Sequence, residues 1–572
     1  MARPFIPVSL LACLLLVSTA GQAELRVNVE PANTAVRNNI QAFIGPVEAE
    51  NRRDMWRQAR HSRDQAIDAA KALGYYDVRV RPRVTGSNDA PVLELNVTLG
   101  EPVRLREVDI RVTGPGEGTP AFRRPDSPRL TPGARLHHGH YESAKSLISN
   151  QALRYGYFSG RFVESRLLID AEANQADISL LYDSGERYRL GDVTFSDTPF
   201  TEDLLRSIVT FDSGVPYDSE LLAEFNRDLL STGYFENVQV LAPASQAVDG
   251  VIPVQATLSA RKPHSLGFGG GYSTDVGARG RINWTQHWLN EHGHSRGADL
   301  ELSLPRQQIT TWYQIPLTPP QASSLRFFTG IQKEDIEDVE TENFVIGALH
   351  QRRLKNGWER AIGLRLEEER FKVGNDEGDA TLLIPSLGFN RTNSDGGMDP
   401  SQGYSLAFEV QGAKEGFISD FDFLRVTGAA RGLYTLQDRH RLLGRAQLGA
   451  VASQSFERVP PSLRFFAGGD QSVRGYDFRT LSPVDETGDN IGGRYLVAGS
   501  LEYQYEFIDK WRGAVFVDHG NAVDSLEDPL ETSVGVGIRW VSPIGPIRLD
   551  LAKSISDSEQ GFRIHFAMGP EL

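Results

Sequence analysis

One cysteine, Cys13, stands in the whole chain, and it lies in an N-terminal stretch with the look of a leader. That stretch begins Met1-Ala2-Arg3, runs through apolar residues from Leu10 to Val17 and reaches small residues at Gly21-Gln22-Ala23, the pattern of a secretory signal peptide. Cleavage is expected after Ala23, which makes residues 1–23 the signal segment. Leu10-Leu11-Ala12-Cys13 has the outline of a lipoprotein site, but the apolar run continues past the cysteine and favours ordinary cleavage. Without Cys13 there is no disulfide framework, thiolate metal site or cysteine nucleophile.

Long apolar runs are also missing: beyond the leader no stretch of eighteen apolar residues occurs, which argues against a helical membrane protein. A membrane barrel remains open, because its strands alternate and their hydropathy averages out, in keeping with the negative mean hydropathy. A basic surplus is absent too; the net charge of −15 argues against nucleic acid as a partner. The chain has no phosphate-cradling glycine loop ending in Lys-Ser or Lys-Thr, so nucleotide chemistry is not expected. Acidic runs such as Glu367-Glu368-Glu369 read as loop or strand-end charges. His287, His292 and His294 cluster around Trp288 on a strand end and turn, where a fixed metal geometry is not expected and an interfacial aromatic belt fits better. The expectation is a protein that is no enzyme and has no cofactor.

What is present divides near residue 262. Before it, helical and strand patterns mix; after it, almost every segment alternates. Three stretches in the first part share a local pattern: Leu73-Gly74-Tyr75-Tyr76, Arg154-Tyr155-Gly156-Tyr157-Phe158 and Ser231-Thr232-Gly233-Tyr234-Phe235. Each follows an amphipathic helix, such as Glu220 to Leu230, and precedes strand-like alternation. The glycine suits a helix C-cap, and the aromatic pair can seal the helix against the sheet that follows. The period of about 80 residues lets each unit hold its own small core. Strands also open the second and third units, at Val103 to Val112 and Tyr188 to Phe195, while the first opens on a short strand near Leu25 to Val29. The order within a unit is strand, helix, helix, strand, strand. This resembles the POTRA domain, a periplasmic module of outer-membrane assembly proteins, with units at 24–101, 102–185 and 186–262.

From residue 263 to 572 a transmembrane β-barrel is expected. At roughly 19 residues per strand its length suggests about 16 antiparallel strands. Tyr404, Leu406, Phe408 and Val410 would face lipid and Ser405, Ala407 and Glu409 the lumen; Leu300, Leu302 and Leu304 enclose Glu301 and Ser303 in the same way.

The strongest local signal is Phe465-Phe466-Ala467-Gly468-Gly469-Asp470-Gln471-Ser472-Val473-Arg474-Gly475-Tyr476. Its Val473-Arg474-Gly475-Tyr476 segment resembles the loop motif of the BamA-type outer-membrane assembly superfamily, in which a long extracellular loop folds back into the barrel. A guanidinium in a polar lumen needs carboxylates, since leaving bulk water is costly and a two-pronged hydrogen bond offsets the loss. Period two turns Leu501, Tyr503, Tyr505 and Phe507 towards lipid and Glu502 inward; the same logic turns Phe516, Asp518 and Gly520 inward. Phe516-x-Asp518-x-Gly520 matches the second motif of that superfamily. Arg474 is therefore expected to pair with Asp518, and with Glu502 as second partner.

At the end of the chain Phe562, Ile564, Phe566 and Met568 form one apolar face, with Arg563, His565 and Ala567 on the other. This resembles the C-terminal β-signal of inserted barrels, and the closing Gly569-Pro570-Glu571-Leu572, with three POTRA-like units, resembles the TamA family within the superfamily. The first barrel strand, Leu266 to Tyr272, carries Gly267, Gly269, Gly270 and Gly271. Glycine packs little and leaves the backbone flexible, so the seam between first and last strands should be the weakest in the wall; a plainer role for these residues is barrel curvature. An open seam exposes backbone groups that favour an added client strand.

The resemblance implies a Gram-negative outer-membrane protein with periplasmic N-terminal domains. Its function would be to assemble or translocate autotransporters and other outer-membrane proteins. The implied partners are an inner-membrane-anchored, TamB-like periplasmic protein docking through the first POTRA unit, client outer-membrane proteins and outer-membrane lipid. A two-partner secretion transporter for one exoprotein and a lipid-transport component of the envelope are the competing readings. A passive porin would explain the barrel but neither the repeats nor the loop.

Overall fold

The computed structural model describes residues 23–122, 129–397, 399–416, 418–543, 545–557 and 559–568. The signal segment up to Gln22 and the closing Gly569-Pro570-Glu571-Leu572 lie outside the described residues.

The first unit runs β1 (Glu24–Glu30), α1 (Thr34–Ile44), α2 (Arg52–Ala72), β2 (Arg79–Gly86) and β3 (Pro91–Thr98). Its helices start where asparagine can cap them: Asn33 accepts the Val36 N–H, and Asn51 those of Arg53 and Asp54. β3 alternates, and its Leu93, Leu95 and Val97 are buried with Val36, Ile40, Met55 and Ala66 in one core. It is the central strand, parallel to β1 and antiparallel to β2. The second unit repeats the plan with β4 (Arg104–Thr113), α3 (His138–Arg154), β5 (Arg161–Asp170) and β6 (Gln175–Asp183), in the order β4-β6-β5. Between β4 and α3 its described residues show a 3-10 turn, Pro120–Phe122. The third has β7 (Arg189–Phe195), α4 (Glu202–Arg206), α5 (Ser219–Ser231), β8 (Phe235–Leu241) and β9 (Val251–Ala260), in the order β7-β9-β8. These are three POTRA-type domains.

Gly74, Gly156 and Gly233 follow α2, α3 and α5 with φ of 90°, 81° and 76°, the left-handed turn that ends a helix and that glycine adopts without strain. The aromatic residues beside them do more than close their own unit. The Gly74 carbonyl accepts the Val103 N–H (2.8 Å), the Tyr76 hydroxyl lies 2.7 Å from His138 Nε2, and Arg135 donates to the Tyr75 hydroxyl (3.1 Å). The Gly156 carbonyl accepts the Tyr188 N–H (2.9 Å), and Phe158 packs on the rings of Tyr188 and Tyr217; Tyr157 stays buried in its own domain. The Tyr234 carbonyl accepts the Arg261 N–H (2.8 Å), while its hydroxyl donates to Gly293 O (3.1 Å) in the turn between the second and third strands of the barrel. One repeated turn thus caps a helix and fastens the next unit.

Sixteen strands, β10 (His264–Ser273) through β25 (Phe562–Met568), form a closed barrel in which each strand is antiparallel to its neighbour. Exposed Leu266, Phe268, Ile282, Phe408, Leu501, Val515 and Ile564 point outward, and no helix among the described residues is long and apolar enough to cross a membrane. Two sequence expectations are corrected here. Leu304 lies beyond β12 (Ser295–Ser303) in the turn before Arg306. Trp288 does not serve a lipid-facing belt; its indole N–H donates to Arg261 O (2.8 Å) and its ring meets Phe200 (5.8 Å between centroids), so it belongs to the junction with the third POTRA domain. Contact of an aromatic with a neighbouring domain leaves no mark in local alternation.

The joint between the first two domains should respond to acid. His137 Nδ1 accepts the Gly139 N–H (3.0 Å) and caps α3, and its ring stacks on His140 (4.2 Å). Burial, then the neighbouring His140, Arg135 and His138, holds His137 below the ordinary imidazole value; burial also lowers His138, with Glu142 opposing, and His140, beside Arg129 and Arg135. The folded state favours neutral rings, so their contribution is complete above about pH 6.5 and is lost as pH falls below it. Calorimetry of the full chain in detergent is expected to show the POTRA transition falling by about 2–4 °C from pH 7 to pH 5. His137→Asn, which caps without titrating, should reduce that drop; an identical drop in the variant would reject the role of His137.

Candidate functional site

Between β20 (His440–Ala452) and β21 (Tyr495–Ile508), the connecting residues turn back into the barrel. Their apolar side chains carry them in: Phe456, Val459, Leu463, Phe465, Val473 and Tyr476 share a core with Phe371, Leu382, Ile384 and Ala522 on the inner face of the wall. Burying such side chains, at about 1.5–3 kcal/mol each, can offset the ordering of a long loop. A cavity of about 740 Å³ remains beside the loop, lined by Arg306, Glu334, Glu409, Arg425 and Arg479 among others.

At the centre lies Arg474, 1% exposed. Its Nε and Nη2 donate to the two oxygens of Asp518 at 2.8 Å each, on β22 (Trp511–Val523). Nη1 donates to Glu502 Oε2 (2.7 Å) and to Asp550 Oδ2 (3.3 Å), Nη2 also to Ser500 Oγ (3.2 Å), and the backbone N–H to Asp518 Oδ2 (3.1 Å). The guanidinium carbon stands 3.3 Å from the Phe516 ring centroid, so the plane is gripped along its edges and covered on one face. A second buried cation completes the network: Arg539 on β23 (Glu531–Ser542) donates to Glu502 Oε1 (2.8 Å) and to Asp550 Oδ1 (2.6 Å) on β24 (Gly545–Ser554). Two guanidiniums thus share three carboxylates on four adjacent strands and a loop.

The flanking motif residues lock the arginine in place. Val473 is fully buried. A Cβ on Gly475 would sit 2.5 Å from Ser533 Cβ and 2.9 Å from Ser554 N, so only glycine lets the loop press on β23 and β24. The Tyr476 hydroxyl bonds to Glu531 and, at 2.7 Å, to Ser554 Oγ.

The structure therefore brings Val473, Arg474, Gly475, Tyr476, Glu502, Phe516 and Asp518 together. Gly520 lies on the same inward row without touching the loop motif; a Cβ there would meet Ala498 Cα of β21 at 2.6 Å. Asp550, Arg539 and Ser500 escaped sequence reasoning, yet the signal was present. Arg548-Leu549-Asp550-Leu551 and Ile538-Arg539-Trp540 alternate, and a polar side chain between outward apolar ones on a barrel strand points inward.

The seam expectation needs correcting in register. β25 does present Phe562 and Ile564 outward, with Phe566 and Met568 in the same row. Its pairing with β10, however, is confined to Ser273 opposite Ala567, next to a Thr274 N–H bond to Phe566 O (3.1 Å). Gly267, Gly269, Gly270 and Gly271 are not paired with the described part of β25. They line an edge that, among the described residues, has no strand partner on that side, although β10 is paired along its length with β11 (Gly277–Gln286) on the other. Continuing that antiparallel register would set Gly271, Gly270 and Gly269 against positions 569–571, which lie outside the described residues. Among the described residues no group of three or more histidine, cysteine or acidic side chains is arranged to hold a metal ion. His287 Nε2 lies 3.0 Å from Ser265 Oγ and His294 Nδ1 2.7 Å from the Tyr313 hydroxyl.

Comparison with known proteins agrees with this architecture. Residues 262–571 match the Omp85 superfamily domain, 26–99 the POTRA domain TamA domain 1, and 188–253 the surface antigen variable number repeat. Outer membrane protein assembly factor BamA of Nitratidesulfovibrio vulgaris is 26% identical over 452 residues, 74% of this chain and 56% of that protein. BamA of Neisseria meningitidis serogroup B is 20% identical over 566 residues, 86% of this chain and 69% of that protein. The chain spans little more than half the length of the first of these relatives. Among solved structures, BamA from Haemophilus ducreyi lacking POTRA domains 1-3 has a TM-score of 0.66 at 18% identity, over 82% of this chain and 99% of that one, a likeness of fold.

Removing one member of the network leaves a buried charge uncompensated, which costs about 3–5 kcal/mol. Arg474→Ala and Asp518→Ala should each expose the 453–494 loop to protease and lower the temperature at which the barrel loses its compact electrophoretic form. Arg474→Lys should fall between, since a point charge cannot make the two-pronged contact. The double variant should cost less than the two single changes together; full loop protection in both single variants would rule out the network as the loop's anchor.

Proposed function

The chain belongs to the Omp85 superfamily, and from that premise we propose that it assembles or translocates other outer-membrane proteins through the seam between β10 and β25. The barrel lies in the outer membrane and the POTRA domains in the periplasm. The observation that carries the reading is the unequal seam: β24 pairs with β25 from Phe562 to Met568, whereas among the described residues β10 pairs with β25 only at Ser273. Backbone N–H and C=O groups without partners are costly in a bilayer, so the edge from His264 to Gly271 favours pairing with an incoming strand. The work done on a client is templating and local disturbance of the membrane, with no covalent bond made or broken. The loop anchored by Arg474 keeps the rest of the wall in register meanwhile.

Within the superfamily, a TamA-like role is the narrower proposal, supported by the match of residues 26–99 to the first TamA POTRA domain and by the three POTRA domains. On this reading a TamB-like periplasmic protein anchored in the inner membrane docks on the first domain, and autotransporters are among the clients. Crosslinking in cells, with the first domain present or deleted, checks the partner: capture that survives the deletion would remove it from that domain.

Residues directly opposed in an antiparallel ladder lie close enough for a disulfide. Ser273→Cys with Ala567→Cys should close the seam on oxidation and reduce client assembly by about tenfold or more, as expected when strand exchange is the obligatory step. Reduction should restore it. Undiminished assembly by the oxidised form would reject lateral exchange.

A further inference from the structure

Among the described residues the seam strands share little backbone pairing, yet the inserted loop touches both sides of the seam. On the β25 side, the buried His565 ring donates from Nε2 to the carbonyl of Arg474 (2.6 Å), and Arg563 pairs with Asp477. On the β10 side, Asp275, in the turn joining β10 to β11, accepts the Asp470 N–H at Oδ2 (2.8 Å). The two prongs meet: His565 Nδ1 lies 3.5 Å from Asp275 Oδ1, a charge contact longer than a hydrogen bond, with both side chains about 6–7% exposed. The loop backbone is shaped for this carboxylate. Gly469 has φ of 92°, and a Cβ there would stand 2.5 Å from Asp275 Oδ2 and 2.9 Å from the Phe478 ring. Gly468-Gly469-Asp470 thus lets the loop close on the β10–β11 turn.

We propose that Asp275 and His565 are positioning residues forming a clasp through which the Arg474 loop holds the seam closed, and that opening swings the β10–β11 hairpin away while β25 stays on the loop. This rests on the seam reading above and adds its control. The direction follows from the unequal hold on the two leaves. β25 is bound to β24 along Phe562–Met568 and to the loop by two side chains, and the loop is fixed to β21, β22 and β24 through Arg474. Among the described residues the hairpin is held on the seam side by the Ser273–Ala567 pair, the Thr274 contacts with Phe566, the Tyr272 ring against that of Phe566 (6.0 Å between centroids) and the Asp275 carboxylate. Losing that carboxylate therefore removes the hairpin's side-chain tie to the loop and leaves the bonds of β25 to β24 in place.

Paired spin labels at Phe268→Cys and Ile564→Cys, both outward-facing, report the width of the seam in the full chain reconstituted in lipid nanodiscs. Asp275→Ala should raise the open population roughly tenfold, as should His565→Ala. Asp275→Asn, close in shape and able to accept the Asp470 N–H, should fall between, as should His565→Gln, whose amide can still donate to the Arg474 carbonyl. Combining the two alanine changes should open the seam no further than Asp275→Ala alone, because the residues act as one unit. Protease protection of the 453–494 loop should stay at the wild-type level in every variant, which separates a clasp from general unfolding. Unchanged distances in both alanine variants, or opening that appears only with loop release, would overturn the proposal. Client assembly in the same samples tests the other reading separately. A looser seam with unaltered assembly keeps the clasp and rejects seam exchange; an unaltered seam, with the oxidised Ser273–Ala567 form still blocked, rejects the clasp and keeps seam exchange.

Discussion

A guanidinium withdrawn from water must find its counter-charges, and much of this barrel's interior answers that requirement. Arg474 is almost wholly buried and lies against three carboxylates, with Arg539 sharing two of them. Such a network is a weak source of net stability, because desolvation consumes much of the attraction, but it is demanding about geometry. Strands β21 to β24 must keep their stagger for Glu502, Asp518 and Asp550 to converge, and the loop must enter at one depth. Apolar contacts around Phe465 and Val473 supply attraction without direction; the ionic cluster supplies the direction.

The small residues complete the same design. Gly475 lets the loop backbone approach Ser533 and Ser554, and Gly469 leaves space for Asp275. A side chain at either position would push the loop away from the wall and stretch the charged contacts it carries. The periplasmic domains use glycine differently: at Gly74 and Gly156 a left-handed turn ends a helix and aims a carbonyl at the next domain. In both halves the residue with the least side chain sits where two pieces of chain must meet closely.

Much of this was legible in the chain because its parts obey a short period. Alternation placed Glu502, Phe516 and Asp518 on the inner face and Leu501, Tyr503 and Tyr505 on the outer, and the recurring glycine-aromatic turn divided the first part into its units. Period two says nothing where strands stop, so the register at Ser273 and Ala567 was out of reach: a seam depends on two strand ends brought together from opposite ends of the barrel. Asp275 was hidden for a related reason, since a turn has no facing rule and its partners Asp470 and His565 lie 195 and 290 positions away. Trp288 was misread because the local sequence of an aromatic does not say whether lipid or a neighbouring domain will cover it. Asp550 and Arg539 lay within reach of the same alternation and needed only a second pass along the later strands.

The pairing of β10 with β25 lies at the end of β10 farther from the POTRA domains, and this placement has a kinetic meaning. On the proposed seam exchange, the stretch from His264 to Gly271, which has no strand partner on that side among the described residues, would be a toehold. A guest strand would dock there while the Ser273 rung is still intact, then advance rung by rung and displace Ala567 last, much as one nucleic-acid strand evicts another by branch migration. Exchange along such a path never needs a wholly parted wall, so its barrier is set by the final rung and the loop's grip on it, not by the full height of the cylinder.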